Sequence, residues 1–289
     1  MNRIERRFEQ LRARGQKGMI IYIGAGDPDL ETTRRLALAF DQAGVDVLEL
    51  GVPFSDPLAD GVVNQLAAQR GLSAGATPRK VLEAVQSIRA RSEIPIVLYL
   101  YSNLIFRRGL HEFIQDAAAA GVDGFLVLDL PPEEAGDYGP WMRQAGLCPI
   151  SLVAPTTPET RVARIVQDAG GFIYCVSREG VTGMQDRLAA NLADQVARIR
   201  RHTALPIAVG FGISNPDQAR AAAAEADAAV VGSAIVSHIA RLGGRPDLVD
   251  QVAGQVRAFV HGVKGSTLEA GSPSLPPPHP LAPQNRAEP

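Results

Sequence analysis

Two carboxylates eleven positions apart have the chemistry to move protons in this chain. They bracket the segment Glu49-Leu50-Gly51-Val52-Pro53-Phe54-Ser55-Asp56-Pro57-Leu58-Ala59-Asp60. Glu49 closes an apolar, strand-like run that includes Val45, Val47 and Leu48. A charge moved from water into apolar surroundings must be paired, or its pKa must rise. A carboxyl raised in this way can both donate and accept a proton near neutral pH. Strand alternation puts Glu49 on the face of Val47 and Gly51, which favours the interior of a closed sheet. A solvated strand end is the competing reading of Glu49. For Asp56 and Asp60, beside Pro57 and Gly61, the competing reading is turn formation.

Other polar residues follow later apolar segments: Tyr101-Ser102-Asn103, Asp129-Leu130-Pro131-Pro132, Ser177 to Gly183, Gly210 to Ser214, and Gly232-Ser233-Ala234. The last two segments have the make-up of a phosphate cradle. Glycines let the backbone approach closely, and the helix starts that follow present free N–H groups to an anion. Tyr174 lies within an apolar segment and reads equally as a core aromatic. Asp129 could equally cap the helix that follows, with Glu133 completing the cap. Lysines occur only at positions 17, 80 and 264, none at a strand end, where a Schiff-base aldolase needs one. The five histidines, at 111, 202, 238, 261 and 279, are scattered rather than clustered as metal ligands, so no metal is expected.

The elements that must position these groups recur in a regular rhythm. Strand patterns cover 19–23, 45–50, 95–100, 123–128, 149–153, 172–176, 206–210 and 228–231. Between them lie amphipathic stretches such as Leu36, Phe40 and Ala43, or Val162, Ile165, Val166 and Ala169. Gly44, Gly121 and Gly170 stand where helix C-caps are wanted. Eight strand–helix repeats predict an α/β fold, a (β/α)8 TIM barrel with an extra N-terminal helix over residues 2–14 that could plug its floor. An open doubly wound sheet loses ground because no G-x-G-x-x-G follows the first strand. In a barrel, the groups above all belong to the C-terminal mouth, where such folds carry their active sites. The expected domain layout is one catalytic barrel over 1–264 and a disordered tail over 265–289, which contains seven prolines and no aromatic residue.

The bulk numbers narrow the class further. The 289 residues are 46% hydrophobic and 21% charged, enough for a large core. A net charge of -2 argues against nucleic acid or an anionic membrane as the main partner. The N-terminus lacks the apolar run of a signal peptide, and no segment reaches membrane length. Cys148 and Cys175 form no pair motif, so both are expected to be reduced and buried in a cytoplasmic enzyme.

At these residues the chain resembles the α-subunit family of tryptophan synthase, over roughly residues 1–262. Five segments carry the resemblance: Glu49 to Gly61, Val127-Leu128-Asp129-Leu130-Pro131-Pro132-Glu133-Glu134, Ser177-Arg178-Glu179-Gly180-Val181-Thr182-Gly183, Gly210-Phe211-Gly212-Ile213-Ser214, and Gly232-Ser233-Ala234-Ile235-Val236. The resemblance implies retro-aldol cleavage of indole-3-glycerol phosphate to indole and glyceraldehyde-3-phosphate. Indole would pass to a β-subunit, in an αββα complex, and pyridoxal phosphate would belong to that partner alone. It implies further that Glu49 shuttles the proton and that Asp60 accepts the indole N–H. Tyr174 would lie near Glu49. Tyr22, Leu126 and Phe211 would wall the ring, with Tyr101 also at the substrate. Thr182 would close over the substrate, and Gly183, Gly212, Gly232 and Ser233 would hold the phosphate. Val62 stands where the family often has proline. A stand-alone lyase releasing free indole and a catalytically silent activator of a β-subunit are the alternative readings.

Overall fold

A computed structural model describes residues 1–177, 185–210 and 212–265, the side chains of 185–190 excepted. Helix α1 (Arg3–Ala13) leads into β1 (Gly18–Gly24), α2 (Leu30–Gln42) and β2 (Val47–Gly51). Two helices, α3 (Val62–Ser73) and α4 (Pro78–Arg89), precede β3 (Ile96–Leu100), and two more, α5 (Ser102–Phe106) and α6 (Leu110–Ala120), precede β4 (Gly124–Val127). Single helices then alternate with strands: α7 (Tyr138–Gln144), β5 (Cys148–Val153), α8 (Glu159–Gln167), β6 (Ile173–Val176), α9 (Gln185–Arg200), β7 (Ile207–Gly210), α10 (Pro216–Glu225) and β8 (Ala228–Val231). Helices α11 (Ser233–Leu242) and α12 (Leu248–Lys264) complete the described chain.

Each strand pairs in parallel with the next, and β8 returns to β1, so the sheet closes into an eight-stranded barrel. All eight expected strands are present. The second starts at Val47 rather than 45, because Asp46 turns its carboxylate to the end of the neighbouring strand. Gly44 and Gly121 take the left-handed conformation expected of caps. After α8 that conformation falls on Gly171, not on Gly170, whose N–H donates to the Pro149 carbonyl.

Alternation along the strands produces two apolar layers. Ile21, Leu48, Leu98 and Val209 face the helices, whereas Ile20, Val47, Val97 and Phe172 fill the barrel interior. Helix α1 starts from a capping box between Asn2 and Glu5, and turns Ile4, Phe8 and Leu11 inward at helical spacing. These three join the interior cluster, Phe8 lying 5.7 Å from the Phe172 ring. The helix therefore seals the floor, as its amphipathic pattern predicts, and leaves the other end for chemistry.

The polar groups of the floor follow a repeat. Asp46, Asp123 and Asp227 each stand one residue before a strand, and each accepts the N–H of the preceding strand (Met19, Ile96, Ile207) at 2.8 Å. Cations complete them: Arg7 and Lys264 at Asp46, Arg3 and Arg89 at Asp123, Arg200 at Asp227. Burial pushes the Asp123 carboxyl up, while Arg89, the Ile96 N–H and Arg3 pull it down. Arg89 is itself largely buried at 2.6 Å from that carboxylate. Asp123→Ala would strand this guanidinium, and the expected loss is about 3–5 kcal/mol, read as a lower urea midpoint.

Candidate active site

At the C-terminal mouth the barrel opens into a cavity of 520 Å³ whose lining includes Tyr22, Glu49, Asp60, Tyr174, Gly212 and Gly232. Glu49 lies on β2, flanked in register by Tyr22 of β1 and Val97 of β3. It is only 1% exposed, and its Oε1 has no hydrogen-bond partner among the described residues. Burial alone pushes its pKa from 4.5 to about 8. Below that pH the side chain is a neutral acid facing an apolar chamber, able to release its proton and regain it. Tyr22 and Tyr174 stand beside it, and burial, reinforced by the nearby carboxylates, raises both hydroxyls well above their ordinary value. Leu126 of β4 adds an apolar wall.

Asp60 reaches the same cavity from the turn after β2, where its N–H bonds the Pro57 carbonyl. Its two oxygens are held separately: Tyr99 donates to Oδ1 at 2.9 Å and Tyr101 to Oδ2 at 2.8 Å. Tyr101 also accepts from the Ala59 N–H at 3.0 Å and packs on Phe54, with ring centroids 5.2 Å apart. Its place is therefore behind Asp60 rather than on the chamber wall. Tyr99 is absent from the sequence-based site. Alternation along β3, with Val97 paired to Glu49 and Tyr99 to Gly51, is the signal that could have found it. Asp56 is exposed on its turn. Asp129 takes no part in the cavity and does not cap the next helix; instead it accepts from Ser102 N and Oγ at the start of α5.

The glycine segments expected to cradle a phosphate, at Gly212 and Gly232-Ser233, line the same chamber. Gly212 adopts φ +69, and Gly232 precedes α11 with no side-chain cap on its first turn. By contrast α10, after the preceding strand, is capped by Asn215, whose side chain takes the Gln218 N–H. Among the described residues, the Gly232-Ser233 turn therefore offers N–H donors at this rim. A methyl group at Gly232 would come within 3.3 Å of the Tyr22 ring, so this turn and the aromatic wall are packed together. Thr182, Gly183 and Phe211 lie outside the described residues.

The lysines are engaged elsewhere: Lys17 with the Ala226 carbonyl, Lys80 with that of Gly75, and Lys264 with Gly44 and Asp46. A second cavity, of 590 Å³, is bounded by the segment after β4 and by α8, and includes neither Glu49 nor Asp60. It adjoins the chamber of Glu49 and Asp60 through Leu128, Leu152 and Ala154.

Known proteins resemble this chain in sequence and fold. The family model for the tryptophan synthase alpha chain matches residues 8–266. The tryptophan synthase alpha chain of Opitutus terrae is 52% identical over 249 residues, covering 86% of this chain and 94% of that protein. That of Geotalea daltonii is 45% identical over 263 residues, covering 91% and 99%. In three dimensions, the tryptophan synthase subunit alpha of Legionella pneumophila superposes with a TM-score of 0.84 at 36% identity, covering 91% of this chain and 98% of that one. Likeness of this extent reaches from the floor helix to the last turn of α12, and with it the chain is a member of the tryptophan synthase alpha chain family.

Proposed function

We infer that this protein cleaves indole-3-glycerol phosphate to indole and glyceraldehyde-3-phosphate, with Glu49 and Asp60 as its working groups. The observation that carries the reading is a buried carboxyl with a pKa of about 8 in the same cavity as a second carboxylate fixed by two tyrosines. Protonated Glu49 delivers its proton to C3 of the indole ring, which places positive charge on the ring nitrogen. Asp60 accepts the ring N–H and stabilises that cation. The glutamate, now ionised, takes the proton of the side-chain hydroxyl next to the ring. As the C3–carbon bond breaks, its electron pair restores the aromatic ring, and an aldehyde forms from the former alcohol. The catalyst ends in its starting protonation state. The phosphate is held by the Gly212 and Gly232-Ser233 backbone together with Gly183, while Tyr22 and Leu126 flank the ring with Phe211. Thr182 is assigned to closure over the substrate.

The chain needs no cofactor for these steps. Pyridoxal phosphate is assigned to a β-subunit that receives the indole, in an αββα complex in the cytoplasm. An apolar rim supports a partner at this end of the barrel: Leu58, Val62 and Phe106 are 84%, 70% and 51% exposed. No helix among the described residues is long and apolar enough to cross a membrane.

The direct test incubates the purified chain with indole-3-glycerol phosphate and measures indole release, alone and with a β-subunit. Slow release alone with strong stimulation by the partner is the expected result. Fast release unaffected by the partner would replace this reading with a stand-alone lyase. No release in either mixture would leave only an activating role.

A further inference from the structure

We propose that Tyr99 is a positioning residue for the cleavage: its hydroxyl sets the Asp60 carboxylate at the orientation that meets the ring nitrogen of the substrate. The proposal rests on the role given to Asp60 above, and deepens it.

Asp60 lies on a segment that does little to fix its own side chain. Ser55, Asp56, Leu58 and Ala59 are exposed, and the local backbone bonds are two short turns, Leu58 to Asp56 and Asp60 to Pro57. The side chain is instead tied across to the third strand. Tyr99 lies within β3, whose backbone is paired on both sides, by β2 and by β4. Tyr101 follows directly after β3. A group held by a strand is placed more exactly than one held by a loop.

The two tyrosines divide the task. Tyr101 grips loop backbone as well as carboxylate, since it also accepts from Ala59 N–H. Tyr99 gives its hydroxyl to Asp60 Oδ1 alone among the described residues. Burial, followed by the charge of Asp60, raises the Tyr99 hydroxyl far above its ordinary value, so it stays a donor throughout the working pH range. Each carboxylate oxygen can accept from about two directions. One direction on each is taken, and the others remain for an incoming N–H.

Tyr99 is in turn held from the side. Its ring meets that of Tyr22 edge to face, with centroids 4.9 Å apart at 65°. Tyr22 can lie there because Gly51 has no side chain; a Cβ at Gly51 would collide with the Tyr22 hydroxyl. Gly51, Tyr22, Tyr99 and Asp60 thus form a continuous stack from the strand end to the carboxylate. The plain alternative is that Tyr99 only fills space beside the interior apolar cluster. In that case its ring matters and its hydroxyl does not.

A double-mutant cycle separates the two. Steady-state cleavage of indole-3-glycerol phosphate is measured for the full chain carrying Tyr99→Phe, Asp60→Asn, or both, and for Tyr99→Leu. Losing a hydrogen bond to a charged group should lower kcat of Tyr99→Phe about tenfold with KM within about twofold. The same change in the Asp60→Asn background should cost nothing further, because the group it positions is already lost. Tyr99→Leu should fall no lower in kcat than Tyr99→Phe. The proposal is overturned by wild-type kcat in Tyr99→Phe beside a crippled Asp60→Asn, by losses that multiply in the double variant, or by a loss seen only with leucine. Full activity in Asp60→Asn itself would instead reject the role of Asp60 on which the proposal stands.

Discussion

Glu49→Gln should reduce indole release by about three powers of ten, the scale of a lost general acid–base group, and at pH 8 should make the protein harder to unfold. Glutamine keeps the shape and removes the titrating proton, so substrate affinity should change little. The stability gain follows from the burial of Glu49, whose carboxyl moves from 4.5 to about 8 on folding. Below pH 4.5 it is protonated in both states, and wild type and variant should unfold alike. Between 4.5 and 8 the unfolded chain releases the proton while the folded chain retains it, so wild-type stability falls as pH rises. Glutamine does not titrate and escapes that loss, which can reach about 4 kcal/mol by pH 8. Urea midpoints of both proteins across this range provide the check. Equal midpoints throughout would mean that Glu49 is not buried as an acid. The same pKa places the alkaline limb of kcat/KM near pH 8, since the free protein must hold the proton it delivers.

Asp60→Asn is expected to lower kcat by about two to three powers of ten with a smaller change in KM, as for an electrostatic group used mainly in the transition state. The substitution acts twice. It removes the charge that faces the ring cation, and it replaces one acceptor oxygen by an NH₂ group. Tyr99 and Tyr101 each donate to one oxygen of the wild-type carboxylate, so one of them must turn its hydroxyl to accept. Steady-state kinetics measure the result. A rise in KM with kcat unchanged would assign Asp60 to substrate binding alone.

The sequence resolves the barrel well because its signals are local and repeated. Apolar segments and the glycines at 44 and 121 locate the strands within about two residues. Glu49 is legible for the same reason: alternation with Val47 determines its face. What escapes is set by contacts between strands. The resemblance implies Tyr101 at the substrate, and the hydrogen bonds of its hydroxyl to Asp60 and Ala59 are not legible in the sequence. Tyr99 is not singled out by the sequence: alternation along β3 gives its face, but not that residue 60 arrives beside it. Asp129 likewise bonds back to Ser102, twenty-seven positions earlier, rather than forward to its own helix. Pairings of this kind depend on barrel register, which periodicity does not encode.

The turn around Asp46 has a consequence for how the molecule comes into being. Its carboxylate is met by Arg7 near the chain's beginning and by Lys264 at the end of α12, and Lys264 also takes the Gly44 carbonyl. A nascent polypeptide leaving the ribosome therefore cannot complete this cluster until all eight strands have been made. Until then the edge of β1 that β8 will cover stays open, an invitation to stray pairing. The ring can close only once β8 is available to pair with β1.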